Sequence, residues 1–279
     1  MSSDLNLKTA CDDSRAVIRV EGPDAEALLQ GLLTNNVARA SSENGVYAAL
    51  LTPQGKYLAD MILTRPTPER FLLDVDADQA TGLIQRLTMY KLRSRAEIAA
   101  EPSHRVVLQW SETGAVPAEA PGALQPSIPD PRDARLGRRA IAPDAPTGTD
   151  RHTLDEYDAL RIRLGVPAAG LDLRPNDGFI LENDFERLNG VDFRKGCYVG
   201  QEIVARMHLK TELKKGLRRL RLDGPARPGD SVTKDGKPAG VLGSCNGEIG
   251  LSVLRLDRIG DGAVEIGDSG AKAVVMEAL

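Results

Sequence analysis

The sequence predicts an α+β protein that ends in a small antiparallel β-barrel. Three observations carry this. Strand-like and helix-like runs alternate up to about residue 110, with hairpins among them. Residues 111–150 then hold seven prolines and four glycines, the composition of a linker or loop. From about Lys214 onward, Pro228-Gly-Asp, Lys234-Asp-Gly-Lys, Cys245-Asn-Gly and Asp261-Gly form a close series of turn signals. No long helical period separates them, as expected of a barrel or sandwich.

Each element has its own signal. Ala16-Val-Ile-Arg-Val20 is apolar and β-branched, a strand broken by Gly22-Pro23. Pro23 suits a first helical turn, and Asp24 and Glu26 suit the positive end of the helix dipole. Leu28, Leu29, Leu32 and Leu33 then supply an apolar helical face. Val46–Leu51 and Tyr57–Thr64 flank Thr52-Pro-Gln-Gly-Lys56, a β-turn between antiparallel strands. Phe71–Val75 is a third strand, Asp78–Leu92 a helix and Arg105–Trp110 a closing strand. One short strand is expected at Leu136–Ile141. Thr153-Leu-Asp-Glu156 has capping-box spacing and Gly165 suits a C-cap, so Leu154–Leu164 reads as a helix.

Composition bounds the function. A length of 279 residues suggests two or three compact units. Aromatics are only 4%, too few for a surface that stacks unpaired bases, and the net charge of −4 disfavours a dedicated nucleic-acid binder. No apolar run approaches the ~20 residues that span a bilayer, and the start shows no secretory pattern. The cysteines Cys11, Cys197 and Cys245 are neither a disulfide framework nor a CxxC metal site. A cytosolic protein with free thiols is expected.

The stretch Leu188–Lys215 carries the chemistry. Cys197 lies between Gly196 and Gly200, after Arg194 and Lys195, and just before a helix expected over Val199–Met207. Cations and a helix N-terminus both stabilise a thiolate. His208 is the imidazole that could serve such a thiol as a base. The alternative is a small buried cysteine with no chemistry. From Arg194 to Arg221 there are nine Lys or Arg against two Glu, either a solvated face or an anion-binding surface.

Lys195-Gly-Cys-Tyr-Val-Gly-Gln-Glu202 resembles the signature of the YgfZ-type folate-binding proteins, relatives of the glycine-cleavage T-protein, an aminomethyltransferase. Leu29-Gln-Gly-Leu-Leu-Thr-Asn-Asn-Val37, Leu51-Thr-Pro-Gln-Gly-Lys-Tyr-Leu-Ala-Asp60, Tyr157–Gly165 and Leu188-Asn-Gly-Val-Asp192 resemble that family's other landmarks. The resemblance implies a T-protein-like three-domain ring. Residues 1–45 plus 150–212 form its discontinuous first domain, and 46–110 a ferredoxin-like middle domain. Residues 111–149 are the linker or loop region, and 213–279 the β-barrel.

The resemblance also implies tetrahydrofolate, or a one-carbon derivative, as cofactor. The function it implies is assembly or repair of iron–sulfur enzymes, including ones that modify tRNA. Partners are those enzymes or cluster-assembly proteins, with tRNA an indirect partner, no membrane and a monomeric state. Cys197 is the essential thiol and a possible transient cluster ligand. Asp60 is the candidate proton-handling carboxylate. Lys195, Arg194, Gly196, Tyr198, Gly200, Gln201, Glu202, Glu182 and Arg206 are the candidate cofactor-binding residues. The alternative activity is folate-dependent aminomethyl transfer or demethylation. Against it, Arg163 stands where the T-protein sets a glutamate on the pterin, and a guanidinium accepts no hydrogen bond.

Overall fold

The computed structural model describes residues 6–112, 114–118, 122–123, 126–143, 154–210, 212–260, 262–267 and 270–276. β1 (Lys8–Cys11) leads to β2 (Arg15–Glu21) and α1 (Ala25–Leu32). β3 (Val46–Leu51), β4 (Tyr57–Thr67) and β5 (Arg70–Asp76) form a meander. α2 (Ala77–Lys91) starts at Asp76, whose carboxylate accepts from the Asp78 and Gln79 amides. β6 (Glu97–Ala100), β7 (Arg105–Trp110), β8 (Ile128–Pro129) and β9 (Arg138–Ala142) follow, then α3 (Leu154–Arg163) and α4 (Gln201–Lys210). The last part holds β10 (Lys215–Leu222), β11 (Ser231–Lys234), β12 (Lys237–Cys245), β13 (Ile249–Arg255), α5 (Leu256–Ile259), β14 (Ala263–Ile266) and β15 (Ala271–Val275).

These strands make three sheets. One is five-stranded in the order β3-β4-β5-β2-β6, and one is four-stranded in the order β1-β7-β9-β8. The third is a closed barrel, β10-β13-β12-β11-β14-β15. The fold is thus α+β with a C-terminal barrel, as the turn spacing requires. The β11–β12 turn is the Asp235-Gly236 pair, both at positive φ, which a two-residue hairpin needs.

The five-stranded sheet is buried on both faces. Along β3, Val46, Ala48 and Leu50 enter the core under α1 and α2, with Leu28, Leu29, Leu83 and Leu87. Tyr47, Ala49 and Leu51 enter a second core with Trp110, Tyr157 and Phe185. Period-two alternation therefore feeds two cores from one strand.

Two expected boundaries change. Residues 15–32 do not stand apart from 46–110: β2 pairs with β5 and β6 inside the same sheet, and α1 covers it. The apolar run at Ile18–Val20 has no surface to spare and takes a partner on each edge. β7 leaves that sheet and pairs instead with β1 and β9. Within 111–149, read as a linker or loop region with one short strand, the described residues hold two. These are β8 and β9, with the expected strand running Arg138–Ala142 and Leu136 held in a single turn before it.

Buried charges explain the order of that region. Asp74 on β5 accepts from Arg15 Nε and from Arg139 Nη1 on β9, both at 2.6 Å. Asp130 accepts from Arg132 at 2.7 Å and from Arg139 at 3.3 Å. Burial acts to raise both carboxyls, but the facing guanidiniums hold Asp74 and Asp130 below the usual range. The Thr153 cap lies outside the described residues.

Candidate functional site

The site grows from two glycines of two different motifs. The β3–β4 turn closes with the Gly55 amide on the Thr52 carbonyl at 2.8 Å, Gly55 standing at φ +75°. The approach to α4 crosses this turn at Gly200, φ +84°. A β-carbon on Gly200 would lie 2.7 Å from the Thr52 carbonyl oxygen, and one on Gly55 would lie 2.8 Å from Ile203 of α4. Only glycine permits this backbone contact.

The other side of the cysteine loop is held by the Leu33-Thr-Asn-Asn36 motif. Thr34 Oγ1 donates to the Gly190 carbonyl at 2.7 Å and accepts from the Ala49 amide at 2.8 Å. Asn35 Nδ2 donates to the carbonyls of Tyr47 and Asn189. The Asp192 amide returns to the Thr34 carbonyl. So the first motif grips the Leu188–Asp192 stretch, and the second underlies the turn after Cys197. Cys197 sits on the span between them, its side chain exposed. Cys11 and Cys245 are half-buried, and burial pushes both thiols up.

The motif residues take distinct roles. Lys195 does not turn to the thiol: its ammonium donates to the carbonyls of Gln30, at 2.6 Å, and Leu33, at the C-terminal end of α1. Burial draws Lys195 down to about 8, with Asp192 opposing. Tyr198 is buried, its ring 5.2 Å from that ammonium, and burial pushes its hydroxyl up to about 12. Arg194 and Gly196 are exposed, and the Arg194 amide donates to Asp192. Gln201 starts α4, its amide on the Tyr198 carbonyl. Glu202 and Arg206 form an exposed pair at 2.9 Å. His208 stacks on Phe193 at 3.9 Å, with its Nδ1 3.3 Å from Glu186.

A cavity of about 330 Å³ opens where the barrel meets residues 171–183. Of the residues expected to bind a cofactor, Glu182 lines it and the cysteine motif does not. Asp60 is buried behind Tyr57, whose hydroxyl donates to it at 2.6 Å; Tyr57 itself lines the cavity. Lys56 ties the turn to this wall, with its ammonium 3.9 Å over the Phe179 ring and on the Asp177 carbonyl. Asn183, Lys215, Arg255 and Arg258 are among its other polar lining residues, with the carboxylates Asp172 and Asp177. Sequence reading placed Lys215 in the basic run 194–221 but missed Asn183, Arg255 and Arg258, which come from segments far apart in the chain. Among the described residues no group of three His, Cys, Asp or Glu side chains is placed to hold a metal ion.

Residues 13–109 match the GCVT N-terminal domain family, and residues 214–278 match the C-terminal beta-barrel domain of CAF17. The mouse mitochondrial iron–sulfur cluster assembly factor IBA57 is 34% identical, over 96% of this chain and 82% of its own length. The human protein of that name is also 34% identical, over 88% and 77%. This chain belongs to the IBA57 family. Its fold is shared with the aminomethyltransferase T of the glycine cleavage system from Bartonella henselae, with a TM-score of 0.75, 19% identity and coverage of 98% and 85%. In this IBA57-family chain the GCVT-like match covers the whole five-stranded sheet, and the CAF17-like match covers the barrel. The cysteine motif lies between the two matched regions.

Proposed function

We propose that this protein supports iron–sulfur cluster assembly through the thiol of Cys197. The observation that carries the reading is the exposed cysteine on a loop held at both ends by other motifs. A single thiol cannot hold a conventional four-cysteine cluster. It acts by sharing a cluster with a partner that supplies the other ligands, or by thiol exchange. The finer reading is a YgfZ-type one: a monomer in the reducing cytosol whose clients include tRNA-modifying iron–sulfur enzymes.

We propose the barrel-side cavity as the place for a reduced folate. Glu182 commits one carboxylate oxygen to the Phe179 amide and keeps the other, and the Asn183 Oδ1 is buried without a donor. Both accept hydrogen bonds, which the amino edge of a pterin donates. Lys215, Arg255 and Arg258 suit the carboxylates of a glutamate tail. When bound, the folate supplies a one-carbon carrier. Asp60, enclosed behind Tyr57, weighs against aminomethyl transfer, which needs a proton-handling carboxylate at the one-carbon nitrogen.

The test is complementation of a deletion strain, read as an iron–sulfur-dependent tRNA thiomethylation. Wild type restores it and Cys197→Ala does not, while the exposed position leaves the variant's stability unchanged. Restoration by both would remove the thiol from the mechanism. Folate binding is scored separately by calorimetry, where Asn183→Leu is expected to weaken affinity about tenfold.

A further inference from the structure

We infer that Arg135, Arg187 and Arg219, gathered at the C-terminal end of α3, form a binding site for an oxyanion. Arg219 Nη1 donates to the Arg163 carbonyl at 2.8 Å. Arg187 donates to the next two, Leu164 at 3.4 Å and Gly165 at 2.7 Å. Three consecutive carbonyls thus bring two guanidiniums from separate segments to one helix end. Arg135 stands on the turn before β9, held by Asp133 at 2.6 Å. Arg187 and Arg135 both act on Arg219, adding to burial in drawing it down.

Helix capping accounts for part of this. Cations at a helix C-terminus are favourable; Asp184 and the two carbonyls engage Nε, Nη1 and Nη2 of Arg187 and leave one N–H on each terminal nitrogen. Capping does not use the rest of Arg219. Its Nε is buried with no acceptor, and Nη2 makes no hydrogen bond among the described residues. It does not use Arg135 either, whose side-chain bonds all go to Asp133. Asp133 and Asp184 are the carboxylates paired here, so three cations face two anions in a chain of net charge −4. A buried donor left unpaired between like charges is costly unless an anion completes it. Planar guanidiniums pinned by backbone carbonyls are preorganised for phosphoryl or carboxylate oxygens.

Those two sources share the chemistry, and the experiment separates them. The full-length protein is titrated calorimetrically at low ionic strength, with inorganic pyrophosphate in one arm and a triglutamate peptide in the other. Saturable binding is expected in wild type. Arg219→Gln should weaken it about tenfold, and Arg135→Gln about threefold. Arg86→Gln, on the exposed face of α2, should not change it. The tighter probe identifies the source. Arg135 is exposed and its side-chain bonds go only to Asp133, so its variant keeps the test valid if Arg219→Gln unfolds. Equal weakening by Arg86→Gln, or no saturable binding of either probe, overturns the site.

Discussion

At the scale of single residues, Lys195 shows how a motif position can serve a loop rather than a reaction. Its ammonium closes the C-terminal end of α1 and so fixes the start of the Cys197 span. Because burial lowers it from 10.5 to about 8, the folded chain releases this proton before the unfolded one does. Between those two values the unfolded state binds more protons, so stability rises with pH there. Urea denaturation from pH 7.5 to about 10.5 should show that rise in wild type, and Lys195→Met should flatten it. An unchanged slope in the variant would separate the lysine from the effect. Gly200 makes the complementary point, since the contact it permits is read from its surroundings and not from its neighbours in sequence.

At the scale of elements, the buried ladder Arg15–Asp74–Arg139–Asp130–Arg132 joins β2 and β5 to β9 and the turn before it. Removing one partner leaves a buried charge without compensation, at a cost of about 3–5 kcal/mol. Asp74→Asn is therefore expected to lose stability on that scale in equilibrium unfolding, and a loss below about 1 kcal/mol would show the ladder to be solvated. Its stabilisation is present at neutral pH and disappears as the pH falls through the depressed carboxyl values of the folded state.

The ladder also marks where the sequence was hard to read. Hairpin turns such as Thr52–Lys56 and Asp235-Gly236, the α2 helix and the barrel were legible because local backbone chemistry dictates them. Asp130, Arg132 and Arg139 sit in a proline-rich stretch and look like solvated loop residues; only their distant partners make them core. The exposed turn at Cys197 was legible from its flanking glycines. The roles of Lys195 and His208 were not, because Gln30, Leu33 and Glu186 reach them through tertiary contacts.

At the scale of the whole molecule, the barrel is tied to the sheets through α3. Arg161 is buried and bonds Asp158 at 2.6 Å and Ser244 of β12 at 3.0 Å. Asp172 accepts from the Ser244 amide and hydroxyl, both at 2.7 Å. Asp172 of this clasp also lines the cavity. Arg161→Leu should let the barrel melt separately, giving two calorimetric transitions where wild type gives one. A single transition lowered by less than about 2 °C would mean that apolar contacts alone couple the parts.

Strand β3 carries a consequence for how this chain tolerates change. It serves two cores with alternate residues. A one-residue insertion between Val46 and Leu51 would exchange the two sets, sending Tyr47 beneath the helices and Ala48 against Phe185. No single compensating substitution repairs both sides at once. Length variation should therefore be absent from this strand among functional variants and collect in the exposed turn at residues 42–44, while conservative changes of side-chain volume accumulate within the strand itself.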